Sequence, residues 1–162
     1  MVAMQKTVEI KPAKDNQLLE VMYIIRTCAE QLAEMGICLW NDMNSESPQI
    51  LDDIKQKHVF LAYLRMVPIG TITIKPYADI KEAVLIDRLA VFPHFQKRGF
   101  AKDLIDFAED FARNNDFKTL CVNAPIEVKP IVKLLERNGF VNKGAAPESS
   151  DELAQVVFAK PL

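Results

Sequence analysis

The spacing of the apolar residues switches repeatedly between two periods, and that switching limits the fold more than any other feature of the chain. Val84-Leu85-Ile86-Asp87-Arg88-Leu89-Ala90-Val91 reads as an internal strand. Soon after it, Phe100, Leu104, Phe107, Ala108 and Phe111 recur at helical spacing, with Lys102, Asp103, Asp106, Glu109 and Asp110 on the other face. A chain that changes period in this way folds as an α/β or α+β domain, its helices packed on a sheet.

The same reading extends to both ends. Thr7-Val8-Glu9-Ile10-Lys11-Pro12 alternates like a strand. Leu18, Leu19, Val21, Met22, Ile24 and Ile25 predict a helix that is N-capped by Asp15 or Asn16, runs through Leu32 and Met35, and stops at Gly36. Ser47-Pro48 predicts the start of a short second helix through Ile50, Leu51 and Ile54. Val59 to Leu64 and Ile69 to Ile74 form a hairpin connected near Met66-Val67-Pro68. Thr119-Leu120-Cys121-Val122-Asn123 is a buried strand, and an amphipathic helix from Ile131 to Asn138 is closed by Gly139. Two last strands, near Phe140-Val141 and from Ala154 to Ala159, flank a polar loop that contains Pro147-Glu148-Ser149-Ser150. The expected order is strand, two helices, three strands, helix, strand, helix, two strands, in one mixed sheet.

Composition narrows the possible roles. With 162 residues, 49% of them hydrophobic, the chain is sized for one core and one domain, residues 1-162. A net charge of −2 supplies no basic field for nucleic acid. No apolar run is long enough to span a bilayer and the first residues lack a secretory stretch, so a cytoplasmic protein without a membrane partner is expected. Cys28, Cys38 and Cys121 are odd in number and widely spaced, which predicts buried thiols rather than a redox or zinc pair. His58 and His94 have neither metal-ligand spacing nor a nearby Cys, and no metal is expected.

The passage Val91-x-Pro93-x-x-Gln96-Lys97-Arg98-Gly99-Phe100-Ala101 leads from strand to helix. A helix N-terminus presents unpaired N–H groups and the positive end of its dipole, so a loop wrapped ahead of it can hold an anion such as a pyrophosphate. Gly99 and Ala101 keep side-chain bulk away, and Lys97, Arg98 and Lys102 add positive charge. Gly99 easing a turn beside a solvated basic face is the plainer alternative. The glycine patterns of nucleoside triphosphate and dinucleotide loops are absent, as is the Gly-x-Ser-x-Gly elbow of hydrolases.

Leu89-Ala90-Val91-Phe92-Pro93-His94-Phe95-Gln96-Lys97-Arg98-Gly99-Phe100-Ala101 resembles the acetyl-CoA motif of the GNAT superfamily, Val-x-Pro followed by Gln/Arg-x-x-Gly-x-Gly/Ala. Leu134-Leu135-Glu136-Arg137-Asn138-Gly139-Phe140 is similar to the family's second signature, Leu-Tyr-Glu-Lys-x-Gly-Phe. Gly36-Ile37-x-x-Trp40 is similar to a Gly-x-x-x-Trp segment of some small-molecule members. The resemblance implies a mixed, mostly antiparallel sheet of about seven strands flanked by about four helices. It also implies acetyl-CoA as cofactor, with the backbone of Leu89, Ala90 and Val91 along the pantetheine arm. Gln96, Lys97, Arg98, Gly99, Phe100, Ala101 and Lys102 would surround the pyrophosphate. Asn123 either contacts the cofactor or is simply a residue of the strand end.

The implied reaction is acetyl transfer to a primary amine of a small molecule by direct attack in a ternary complex, with the Val91 N–H polarising the carbonyl. Asp87, two residues before Leu89 and so expected on the face of Leu89 and Val91, takes the amine's proton or else pairs with Arg88. Asp79, Glu82 and Glu127 are weaker alternatives. Trp40 lines the acceptor pocket or packs in the core. The family's tyrosine is replaced by Leu135, which cannot donate a proton. Water, Tyr63 or Tyr77 then protonates the thiolate, or the chain is a noncatalytic acyl-CoA-binding regulatory module. The acceptor's identity is open, and so is a homodimer.

Overall fold

The computed structural model describes residues 8–40, 43–146 and 155–162. In chain order the elements are β1 (Val8–Pro12), α1 (Leu18–Glu34), α2 (Met43–Lys55), β2 (Val59–Leu64), β3 (Val67–Pro76) and β4 (Ala83–Val91). α3 (Phe100–Asn114), β5 (Thr119–Pro125), α4 (Lys129–Arg137), β6 (Val141–Ala145) and β7 (Gln155–Pro161) complete them. The strands make one seven-stranded sheet in the order β1-β2-β3-β4-β5-β7-β6. β4 and β5 run parallel, and the other neighbours are antiparallel. The expected element order and mixed sheet are therefore present.

Side-chain alternation sorts the strands between two cores. Phe60 and Ala62 join Ile72, Ile74, Leu104, Ile105, Ala108 and Leu135 in the core beneath α3 and α4. Val59 and Leu61 join Val21, Met22, Ile25, Cys28, Ile50 and Ile54 beneath α1 and α2. With both faces covered, the central strands read as nearly continuous apolar runs. Phe107 and Phe111 of α3 stack edge-on against Phe60, with centroids 4.9 and 5.8 Å away.

Local chemistry moved several boundaries. Asp15 and Asn16 do not cap α1; they sit in a 3-10 turn, Asp15–Gln17, and Gln17 is the N-cap, its side-chain oxygen accepting from the Lys14 N–H at 2.9 Å. α2 begins at Met43, ahead of the Ser47-Pro48 signal, and holds Pro48 inside it. Lacking an N–H, Pro48 cannot make the ladder bond of its position. The tight hairpin turn is Arg65-Met66, both residues at positive φ (50° and 69°), which matches the twist of the flanking strands, and Val67 and Pro68 already belong to β3. Of the expected last strand, Ala154 lies outside the described residues, as do Thr7 and the Pro147-Glu148-Ser149-Ser150 loop.

Glu109 of α3 ties that helix to β7. Its carboxylate accepts from Lys160 at 3.0 Å and from Arg113 at 2.7 Å, and its side chain is 14% exposed. Burial alone would raise its pKa, but the bonds from Lys160 and Arg113 outweigh burial and lower it. A depressed folded pKa adds stability above the unfolded value, lost as pH falls through the folded one. Glu109→Gln is therefore expected to cost about 1 kcal/mol near neutral pH. In urea unfolding followed from pH 7 to acid, the gap to wild type should close.

Candidate active site

β4 and β5 pair from Ala83↔Thr119 to Ile86↔Val122, yet β4 continues to Val91 and β5 to Pro125. The parting begins at Arg88, whose φ is +47°. Along β3, Thr73 pairs with Asp87 and Thr71 with Ala90, so three steps on β4 oppose two on β3. One extra residue in a strand is a β-bulge, which bends it and strengthens its twist. β5 meanwhile stays paired with β7 as far as Pro125↔Gln155. A notch results at the carboxyl ends of the parallel pair, where such sheets bind ligands and where α3 and α4 begin.

The bulge also reverses the faces of the residues beyond it. Val84 and Ile86 lie in the core under α3 and α4; past Arg88 it is Leu89 and Val91 that pack there, while Ala90 turns to the core under α1 and α2. Asp87 therefore faces away from Leu89 and Val91, contrary to the expectation from simple alternation. It lies on the side of α2, with Lys75 Nζ 3.9 Å and Arg88 Nη1 4.0 Å from Oδ2, while Oδ1 accepts the Arg88 N–H at 2.9 Å. Asp53, Gln49 and Lys75 gather on this side too: Asp53 accepts from Arg88 Nη1 at 3.0 Å, from Lys75 at 3.4 Å and from Gln49 at 3.0 Å. No spacing in the sequence pointed to these three, because they come from α2 and β3 and meet only across the sheet.

At the notch the backbone of Val91 is positioned from several sides. The Phe92 N–H donates to Ile69 on β3 at 2.9 Å, so the alternating backbone directs the Val91 N–H the other way, toward the notch. The Val91 carbonyl is engaged within the fold by Cys28 Sγ at 3.1 Å and Gln96 Nε2 at 2.9 Å. Burial pushes the Cys28 thiol up to about 11 against the lowering effect of that bond, so at neutral pH the thiol keeps its proton and donates. Gln96 also donates to Gln31 of α1 at 3.0 Å, and its backbone N–H is taken by the Pro93 carbonyl at 3.2 Å.

The loop ahead of α3 turns twice through left-handed backbone, at Lys97 (φ 62°) and Gly99 (φ 85°). Gly99 is the N-cap of α3 and has no side chain to cap its first turn. Lys97 and Arg98 are exposed beside it, the Arg98 guanidinium 5.7 Å from the Phe95 ring centre. Lys102 points along the helix instead: its ammonium bonds Asp106 at 2.8 Å, and that bond raises its pKa. Phe100 is buried in the core and Ala101 packs against it.

The remaining candidates separate by position. Asn123 is one residue beyond the last β4–β5 pair and accepts from the Tyr77 hydroxyl at 3.4 Å. Tyr63 lies on β2, accepting from Gln17 Nε2 at 2.9 Å, with β3 and β4 between it and the notch. Glu82 sits in the turn before β4, where its carbonyl accepts from Lys118 and Thr119, and Asp79 lies in the same connection at the far end of β4. Glu127 is exposed just after β5, at the notch end. Leu135 is 1% exposed and belongs to the core. Trp40, at φ 56°, packs half-buried on the core under α1 and α2. Among the described residues, no three His, Cys, Asp or Glu side chains converge as metal ligands would. Cys28 and Cys121 are buried as expected, but Cys38 is exposed because it follows α1 in a surface loop.

A model of the acetyltransferase (GNAT) family matches residues 22–140. No curated protein matches by sequence. Among solved structures, PaiA N-acetyltransferase from Thermoplasma acidophilum, in complex with coenzyme A, superposes with a TM-score of 0.78 at 17% identity, covering 96% of this chain and 99% of its own. A GCN5-related N-acetyltransferase from Rhodopseudomonas palustris gives 0.80 at 20%, covering 99% and 100%. YncA from Salmonella typhimurium, a putative acetyltransferase with its cofactor acetyl-CoA, gives 0.71 at 14%, covering 94% and 92%. At such identities the likeness is one of fold.

Gly70 guards the strand that forms the notch. A Cβ there would lie 3.1 Å from the Ala90 carbonyl oxygen and 3.3 Å from Leu104 Cδ1. The backbone oxygen has little room to yield, so Gly70→Ala should destabilise by about 1–3 kcal/mol, seen as a lower urea midpoint. The same change at Gly36, where a Cβ meets nothing within 4 Å, tests left-handed strain alone (φ 79°).

Proposed function

The chain belongs to the GNAT acetyltransferase family, whose cofactor is acetyl-CoA, and we propose that it transfers the acetyl group to a primary amine of a small molecule, both substrates being bound together. The observation that carries this reading is the notch between β4 and β5 with the N-terminus of α3 at its mouth. An extended arm bearing amides fits between parted strands, and a pyrophosphate fits at a helix start turned by a left-handed glycine. In this reading the backbone of Leu89, Ala90 and Val91 holds the pantetheine arm and Asn123 closes its β5 side. Backbone groups of Lys97, Arg98, Gly99, Phe100, Ala101 and Lys102 hold the phosphates, with the charge of Lys97 and Arg98 beside them, and Gln96 fixes the start of that loop. When bound, acetyl-CoA supplies an acyl group already activated as a thioester.

The residues divide the work by face. The Val91 N–H donates to the carbonyl oxygen, where negative charge develops. Asp87, 38% exposed and on the side away from α3, takes the proton of the incoming amine. Tyr77 is the hydroxyl that stands in for the family's tyrosine, since its oxygen already lies beside Asn123. Trp40, after α1, contributes to the acceptor's surroundings. We read residues 1–162 as one domain acting in the cytoplasm, without nucleic acid or membrane as a partner. A noncatalytic acyl-CoA-binding regulatory module is the second reading, favoured by Leu135, which fills the core where a proton donor is usual in the family.

Two measurements test this. Calorimetry should give one coenzyme A per chain, with Gly99→Val weakening it at least about tenfold, because a β-branched residue resists a left-handed φ, while Asp110→Val on the exposed helix face leaves it unchanged. An amine screen with acetyl-CoA, read by thiol release and product mass, should find an acceptor turned over at about 1 s⁻¹ or faster. Asp87→Asn should then lower kcat about 10²-fold and flatten the acid limb of the pH–rate profile while leaving the KM for acetyl-CoA unchanged. Absence of binding would overturn the proposal, and tight binding without any acceptor would favour the module.

A further inference from the structure

We propose that Asp53 of α2 is a positioning residue: by binding Arg88 and Lys75 it holds the β4 bulge in register and keeps the carboxylate of Asp87 available on the acceptor side. This rests on the reading of Asp87 as the base. Three observations carry it. The Asp53 side chain is 3% exposed, and a carboxylate so buried is tolerated only when it is paired and hydrogen-bonded. Here both oxygens are engaged, Oδ1 by Gln49 Nε2 at 3.0 Å and Oδ2 by Arg88 Nη1 at 3.0 Å and Lys75 Nζ at 3.4 Å.

The bonded arginine is the bulge residue itself. A non-glycine residue at φ +47° is a strained choice that persists only where its surroundings over-determine it, and the Asp53 contact supplies that constraint. If the extra residue moved along the strand, the Arg88 side chain would lose Asp53 and turn toward the apolar core under α3, so the ion pair sets the register.

The third observation is the ordering of distances. Lys75 lies 3.4 Å from Asp53 and 3.9 Å from Asp87; Arg88 Nη1 lies 3.0 Å from Asp53 and 4.0 Å from Asp87. Both cations are thus drawn to the buried carboxylate, and Asp87 is left partly exposed with its charge only loosely countered. On the facing part of β5, Cys121 and Asn123 are uncharged at neutral pH, and Lys75, Arg88 and Asp53 are the charged groups gathered beside the Asp87 carboxylate. Without the Asp53 charge, both cations are free to turn to Asp87 and make it a poorer base.

Asp53→Asn keeps the shape and removes the charge. Expected are coenzyme A affinity within about twofold of wild type and a kcat about tenfold lower at unchanged KM for acetyl-CoA, because a weakened base transfers protons more slowly. The acid limb of the pH–rate profile should move to lower pH. Carboxyl-carbon NMR of Asp87, which needs no acceptor, should show the same downward move. An unchanged profile and NMR titration, or coenzyme A affinity falling in step with kcat, would overturn the proposal. Should Asp53→Asn fail to fold, Asp53→Leu combined with Arg88→Met replaces the buried pair by apolar groups; full turnover in that protein would overturn it too. A shifted Asp87 titration together with a fully active Asp87→Asn would instead fault the base assignment and leave the positioning standing.

Discussion

One extra residue at Arg88 governs the rest of the site. Because Asp87 and Ala90 are three steps apart on β4 while their partners on β3 are two apart, the strand bends and releases β5 after Ile86↔Val122. A regular β4 would have stayed paired with β5 as far as Pro125 and left no space between them. The same extra residue exchanges the faces of everything beyond it, sending Leu89 and Val91 to α3 and leaving Asp87 with α2. A single change of alternation thus gives one strand the two sides that the proposed reading assigns to cofactor and acceptor.

The helices hold that irregularity in place. α1 reaches the end of β4 through Cys28 and Gln31, the first bonded to the Val91 carbonyl and the second linked to it through Gln96. α2 reaches the bulge through Asp53. These are buried or half-buried contacts, where a hydrogen bond or ion pair is screened little by water and a missing partner leaves a desolvated polar group. The surface pair Lys102–Asp106 is of a different kind, since both side chains are open to solvent and salt.

Across the sheet, α3 contributes its beginning. Gly99 supplies the left-handed turn that aims the helix start at the notch, and Phe100, directly after it, anchors the first turn in the core. The left-handed geometry tolerates few residues other than glycine. A helix start fixed beside parted strands is the arrangement on which the proposed chemistry depends.

By itself the sequence determined the element order, the burial of the central strands and the place of the turn that leads into α3, because these follow from local periodicity and from residues adjacent in the chain, such as Gln96 to Ala101. It also carried the family signature. Only the tertiary structure decided that Asp87 lies opposite Leu89 and Val91, that Tyr77 rather than Tyr63 stands at the notch, and that Asp53, Gln49 and Lys75 surround Arg88. It likewise replaced the predicted caps of α1 and α2 with Gln17 and a start at Met43. The reason is physical: alternation along a strand holds only while pairing is regular, and a bulge is set by contacts between residues as far apart in sequence as Asp53 and Arg88, which no local pattern records.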